Sequence, residues 1–273
     1  MDLKMNFSQF LIVEARDESI GGNDGYRKEI TATEAVELIK KHCKNVDFNK
    51  PLYRGMGYTK LRDYLLIEGQ KGGRQSQNTS NHYTLIIDKL LKDSHSYAPQ
   101  RSKSIICTNS IKKAHNYGNS YIILPFDDTE IGMCEHDDMW ESYVRLAGMS
   151  LQISEMNLFL KRIIKTPKSY QEIVDAIATD MKSDKPSSFA QKMLDAYIED
   201  YNIDEDDDLD YKEIVEESLY RAYDPEHALN MKFGTYKELN ISDIDTDHEF
   251  WIGGKVIAIH YLEWKYILRQ LID

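Results

Sequence analysis

The chain has 273 residues, with 46 Asp and Glu against 34 Lys and Arg, so its formal charge is −12. Such a field repels long polyanions and argues against a protein that grips nucleic acid through phosphate contacts. A hydrophobic fraction of 41% excludes a disordered chain, and the length admits one large domain, two smaller ones, or one domain with an inserted subdomain.

Residues 6–16 read as a short amphipathic helix, an N-terminal arm set off by the break Gly21-Gly22-Asn23-Asp24-Gly25. Thr31 and Glu34 have capping-box spacing, and Ala35, Val36, Leu38, Ile39 and Cys43 keep a helical period to about Lys44. Pro51-Leu52-Tyr53-Arg54-Gly55 is extended, and 68–81 forms a long polar loop of the kind that often carries function. A helix is predicted at about 82–92. Ser104-Ile105-Ile106-Cys107-Thr108 then has strand composition and stops at Asn109-Ser110, which starts a helix over Ile111 to Tyr117. Tyr121 to Leu124 is a buried-looking strand ended by Pro125. Successive helices follow from Asp137 to about Ala222, with caps at Ser169, at Ser187 or Ser188, and at Asp210. The tail returns to strands in Glu249-Phe250-Trp251-Ile252 and Lys255 to Ile259, split by Gly253-Gly254.

Cys43, Cys107 and Cys134 are odd in number and have no CxxC spacing, which predicts buried thiols in a reducing compartment. Apolar runs such as Tyr121-Ile122-Ile123-Leu124 fall far short of the roughly 20 residues that span a bilayer, and 1–20 lacks a cleavable signal pattern. The expectation is a soluble intracellular protein with no membrane partner. His82, His115 and His248 are scattered without metal-ligand spacing, and Asp204-Glu205-Asp206-Asp207-Asp208-Leu209-Asp210 lacks the central glycine of a calcium loop, so no metal is expected. Glycine loops for nucleotide hydrolysis and the nucleophile elbow of serine hydrolases are both missing.

Three segments stand out together. They are Leu52-Tyr53-Arg54-Gly55, then Ser104 to Thr108 followed by a helix with Ala114 and Tyr117-Gly118, and then Asp247-His248-Glu249-Phe250-Trp251-Ile252-Gly253-Gly254. Their order and character resemble the arginine, serine, glutamate signature of mono-ADP-ribosyltransferases. The resemblance covers roughly 50–135 and 240–262. It implies an α+β fold with a split β core of the ADP-ribosyltransferase type, interrupted by a helical insertion, with NAD as substrate and a protein side chain as acceptor. The family's Ser-Thr-Ser is here Ile106-Cys107-Thr108 or Thr108-Asn109-Ser110, depending on register, and its Glu-x-Glu or Gln-x-Glu begins instead with Asp247.

The chemistry behind such a triad can be stated independently. Cleaving the nicotinamide–ribose bond passes through an oxocarbenium-like state, so a carboxylate beside the ribose stabilises charge that develops only at the transition state. Glu249 takes that role. Arg54 provides fixed, bidentate contact to diphosphate or ribose. Thr108, with Ser104 and Ser110 as register alternatives, orients the carboxylate. Tyr53, Tyr117 or Trp251 is placed to stack on nicotinamide or to serve as core, and Asp247 bears on acceptor choice. The run Arg74-Gln75-Ser76-Gln77-Asn78-Thr79-Ser80-Asn81-His82-Tyr83-Thr84 is crowded with hydrogen-bonding groups; Arg74 and Asn78 would clamp the cofactor from it, unless the loop is simply solvated.

That loop, the stretch through Arg101-Ser102-Lys103-Ser104-Ile105-Ile106-Cys107-Thr108 and the Phe-Ser-Gln-Phe-Leu opening are also similar to phage virion-associated ADP-ribosyltransferase-like proteins. This implies action in a host cytoplasm, with packaging in a virion. The expected partition is an arm at 1–25, transferase-like parts at 26–136 and 236–273, and a helical acidic insertion at 137–235. Excess acid concentrates between Glu199 and Glu217, whereas Arg54, Arg62, Lys71, Arg74, Arg101 and Lys103 supply positive charge for a dinucleotide. Two alternatives stay open: an NAD glycohydrolase without an acceptor, and a non-catalytic structural or host-interaction protein on a degenerate transferase scaffold.

Overall fold

Nine short strands rich in Ile, Leu, Val and aromatic residues each find their partners far away in sequence. The structure, a computed structural model, describes residues 27–57, 62–69, 82–135, 153–203, 209–225 and 229–272. The expected arm, Arg74, Asn78 and most of the polar loop, and the acidic residues 204–208 lie outside these. Among the described residues are eight α-helices and one nine-stranded sheet, so the chain is of mixed α+β class. The chain divides into two compact units, one drawn from 1–77, 97–138 and 232–273, the other from 78–96 and 139–231.

The first unit holds the sheet. Its strands are β1 (Arg27–Glu29), β2 (Leu52–Met56), β3 (Tyr64–Glu68), β4 (Ile105–Thr108), β5 (Asn119–Pro125), β6 (Ile131–Met133), β7 (Lys232–Gly234), β8 (Glu249–Ile252) and β9 (Lys255–His260). They run in the order β1-β3-β9-β5-β2-β4-β8-β6-β7, and every neighbouring pair is antiparallel. Helix α1 (Ala32–His42) begins at the Thr31–Glu34 capping box, as the spacing predicts, and packs on β3 and β9. The C-terminal helix α8 (Trp264–Ile272) lies against α1. In this unit Ile39 of α1 and Leu52, Ile67, Ile123, Leu124, Phe250 and Ile257 of the strands are buried, the strand residues on both faces of the sheet. Fully burying each such side chain contributes about 1.5–3 kcal/mol.

The joint between β2 and β4 is the narrowest in the sheet, made at the single pair Tyr53–Thr108, while β2 and β5 pair over five residues from Leu52 to Met56. Beyond β4 the strand, turn and helix arrive as expected, although the helix, α3 (Ile111–His115), stops two residues before Tyr117. Tight turns close it, Tyr117 N donating to Ala114 O at 3.0 Å, and Gly118 follows at φ +126°, a conformation open to glycine. Strand β5 is longer than expected, from Asn119 through Pro125. The proline is tolerated because it closes the strand.

The second unit is helical: α2 (His82–Ser94), α4 (Ile153–Ile163), α5 (Tyr170–Met181), α6 (Ser188–Tyr201) and α7 (Tyr211–Tyr223). The expected caps form, Ser169 accepting from Glu172 N, Ser187 from Ala190 N, and Asp210 from Lys212 N and Glu213 N. Of the two serines considered for α6, Ser187 is the cap. Helix α2, grouped with the first transferase-like part from the sequence, packs on α5 and α7 and so joins this unit. Its Ile86, Ile87 and Leu91 are buried, and an apolar face of that kind goes where helices offer a complementary one.

Candidate functional site

Strands β2, β4 and β8 lie side by side, so the three segments singled out in the sequence share one stretch of sheet. Tyr53 pairs with Thr108, and Thr108 pairs with Glu249. Directly opposed residues of antiparallel strands put their side chains on the same face. One row therefore carries Tyr53, Thr108 and Glu249, while Cys107 and Phe250 alternate to the other face with the core. Arg54, one residue along β2, points to the opposite face with Leu52 and Met56, so the structure does not bring the expected arginine onto the face of Glu249. Its Nη1 donates to the carbonyl of Ile106 at 2.7 Å, so its guanidinium reaches across to β4 beside the narrow joint.

Glycine at position 55 is required by this geometry. A Cβ there would lie 2.1 Å from the carbonyl oxygen of Ala114 and 2.4 Å from Tyr117 Cβ. The turn after β4 thus rests directly on the backbone of β2, which explains why a small residue follows Arg54. It also brings Tyr117, half-buried, to the strand that carries Tyr53 and Arg54.

Glu249 is the most constrained of the expected residues. Its side chain is 9% exposed and that of Arg101 is 6% exposed, and the two form an ion pair. Arg101 Nε and Nη2 donate to the same oxygen, Oε1, at 2.9 and 2.8 Å. Arg101 opens a single 3-10 turn, Arg101–Lys103, immediately before β4. Ser104 belongs to this turn rather than to the strand, and its hydroxyl donates to Gln100 O at 2.7 Å. Its role is to close the turn that presents Arg101. Just upstream, Trp251 Nε1 donates to Pro99 O at 3.1 Å. Glu249 and Trp251 are two residues apart on β8 and share a face, so both ends of this short segment are fastened to one side of that strand.

Trp251 is fully buried, in edge contact with Phe233 and lying over Gly132. It is core, and stacking on nicotinamide falls to Tyr53 or Tyr117 among the three aromatics considered. Thr108 is buried, and its hydroxyl accepts from Ser110 N at 3.1 Å. Ser110 begins α3 without a side-chain cap of its own. Asp247 is exposed, two residues before Glu249.

Asn109 and His248 hold the approach to Glu249 and were not singled out as site residues by the motifs. Asn109 Nδ2 donates to Thr246 O at 2.8 Å, and its Oδ1 accepts from His248 N at 2.9 Å. His248 Nδ1 lies 2.8 Å from the carbonyl of Cys134 and Nε2 lies 2.8 Å from Thr246 Oγ1. A carbonyl only accepts, so Nδ1 carries the proton. The contacts from Arg101 to Glu249, from Asn109 to His248 and from His248 to Cys134 each span more than 100 residues, beyond any local pattern. Their one sequence signal is proximity to Thr108 and Glu249.

The Cys107 thiol is pushed up to about 12, chiefly by burial; nearby Arg54 opposes the shift and Glu249 adds to it. Among the described residues no group of three His, Cys, Asp or Glu side chains is placed to hold a metal, and no helix is long and apolar enough to cross a membrane. No family model, curated protein or solved structure matches the chain.

Proposed function

We propose that this chain cleaves NAD between nicotinamide and ribose and transfers the ADP-ribose to a side chain of an acceptor protein. The observation that carries the reading is a buried carboxylate, Glu249, opposite Thr108 on a strand next to the one bearing Thr108, with the strand of Tyr53 and Arg54 next in turn. In the reaction the bond from ribose C1′ to the pyridinium nitrogen breaks, and its electron pair leaves with nicotinamide as the neutral base. Glu249 stabilises the cation left on C1′. An acceptor side chain then donates a lone pair to C1′ and releases its proton to solvent. Tyr53 or Tyr117 stacks on the nicotinamide ring, while Arg54, anchored through Nη1 on Ile106 O, braces β2 against β4 from the opposite face of the sheet. Thr108 and Asn109 fix the strand ends that aim Glu249. The likeness to phage virion-associated proteins extends the proposal to delivery in a virion and an acceptor in the host cytoplasm.

The test is nicotinamide release and protein labelling from NAD, for wild type and Glu249→Gln. The substitution keeps the shape and removes the charge, so turnover is expected to fall by about 10²–10³-fold, the usual cost of losing one electrostatic contact to a transition state. Full activity in the variant would remove Glu249 from the chemistry. Nicotinamide release without labelling of any protein would identify a glycohydrolase, and absence of NAD binding by calorimetry would identify a non-catalytic scaffold.

A further inference from the structure

We propose that Arg101 is a positioning residue for Glu249, fixing the rotation of its carboxylate; the proposal rests on the reading of Glu249 as the group that stabilises the ribosyl cation. Nothing in the arginine, serine, glutamate pattern calls for a second arginine at this place. The structure supplies one, with two donors on one carboxylate oxygen at 2.8 and 2.9 Å and both side chains buried.

A carboxylate taken out of water favours its neutral form unless an opposite charge lies within a few ångströms. A neutral acid at this position would offer the developing cation little. Thr108 faces Glu249 from β4, and His248 precedes it with Nδ1 on Cys134 O, while Cys107 and Arg54 lie on the other face of the sheet. Of these surrounding groups Arg101 is the cation in contact with the carboxylate. Its charge also opposes the ribosyl cation, but a cation lying against the carboxylate is nearer to it than to a guanidinium behind Oε1, and Coulomb energy falls with distance. The pair therefore remains attractive to the transition state.

Charge and orientation are separable because lysine supplies the first without the planar fork of the second. The turn that carries Arg101 is fastened by Ser104 to Gln100 and by Trp251 to Pro99, so the fork approaches Oε1 from a fixed direction. Two parallel donors on one oxygen resist rotation of the carboxylate, and misplacement of a reacting group by about 1 Å costs about 100-fold in rate.

The experiment compares wild type, Arg101→Met, Arg101→Lys, Glu249→Gln and the double variant R101M/E249Q, each checked for folding by circular dichroism. For R101M, kcat for nicotinamide release should fall about 100-fold while the KM for NAD moves little. R101K, which keeps the charge without the planar fork, should also lose kcat with the KM for NAD little changed. In denaturant melts the double variant should be more stable than the summed losses of R101M and E249Q allow, since each single change strands a buried partner. A wild type that cleaves NAD together with an R101M that keeps full kcat, or that loses kcat/KM only through a raised KM, overturns the positioning role alone. A wild type that leaves NAD intact overturns the reaction and the role with it, and the stability coupling then reads the ion pair by itself. Additive stability losses overturn the pair.

Discussion

Cys107 lies one residue before Thr108 and faces the opposite way, into the core, where its Sγ is 3.6 Å from Ile105 O. Burial holds its thiol up at about 12, and burial does the same to Cys43, whose Sγ is 3.8 Å from Leu124 O. Alkylation and disulfide exchange proceed through the thiolate, so moving from an ordinary 9.0 to about 12 removes about three orders of magnitude of reactive form. Both residues should resist iodoacetamide at pH about 8 and react fully once the chain is unfolded, as read by mass spectrometry. Rapid labelling of Cys107 in the native state would mean that β4 opens, and with it the row that holds Thr108 and Glu249. Thr108 itself contributes a single hydroxyl acceptor to Ser110 N. Replacing it by alanine should cost about 1 kcal/mol in a denaturant melt, whereas serine should cost less. A larger loss in NAD turnover than in stability for T108A would separate an orienting role from a structural one.

At the scale of elements, packing at glycine decides how strands and turns meet. Gly55→Ala would drive a methyl into the carbonyl of Ala114, and Gly132→Ala would drive one into the Trp251 ring, whose Cε2 is 2.0 Å from the added carbon. Neither neighbour can retreat without moving the backbone or a fully buried indole, so each substitution should cost about 1–3 kcal/mol or more in unfolding experiments. G55A should also depress NAD binding, because Tyr53 and Tyr117 flank the collision. Local signals of this kind were legible in advance. The caps at Thr31, Ser169, Ser187 and Asp210 depend on residues within one helical turn, and all four form. Strand composition likewise located β4, β5, β8 and β9. What stayed hidden was long-range: that Ser104 closes a turn instead of starting a strand, that the turn aims Arg101 at Glu249, and that β2 meets β4 at one pair only. Those facts depend on partners that only the sheet order brings together, and no period in the chain encodes that order. The Thr-x-x-Glu device, by contrast, recurs at Thr235 and Glu238, where the carboxylate again takes bonds from the threonine N–H and hydroxyl. Those bonds hold both Glu34 and Glu238 below the ordinary glutamate range. A lowered value stabilises the fold above the unfolded-state value and ceases to do so as pH falls through the folded one. The stability gap between wild type and Glu34→Gln should therefore be widest near neutrality and close in acid, as urea midpoints would show.

On the scale of the whole molecule, tyrosine is the residue that reports on both units at once, with 18 in the chain. Burial pushes Tyr236 up to about 12 in the sheet unit, with the Asp47 charge adding to it, and Tyr170 up to about 12 in the helical unit, with Glu216 and Asp93 adding. Tyr64 is also pushed up by desolvation and by its bond to Glu263, and Tyr223 by burial alone. The sign follows from linkage. A phenol whose folded value is raised stabilises the native state fully below its unfolded value, here the ordinary 10.0, and loses that contribution as pH climbs toward the folded value. The window is thus from about pH 10 to about pH 12, and each unit holds tyrosines that begin to oppose folding within it. Titration by ultraviolet difference absorbance should show a delayed class of phenols that ionises above the ordinary range. The delayed class should ionise together with loss of the circular dichroism of unfolding, because a buried phenolate has no solvation until the core opens. Tyr64→Phe and Tyr223→Phe, one in each unit, should each shift the alkaline midpoint upward by removing a proton the folded state must keep. If all tyrosines titrated smoothly around the ordinary value with the dichroism intact, the packing described for both cores would be wrong.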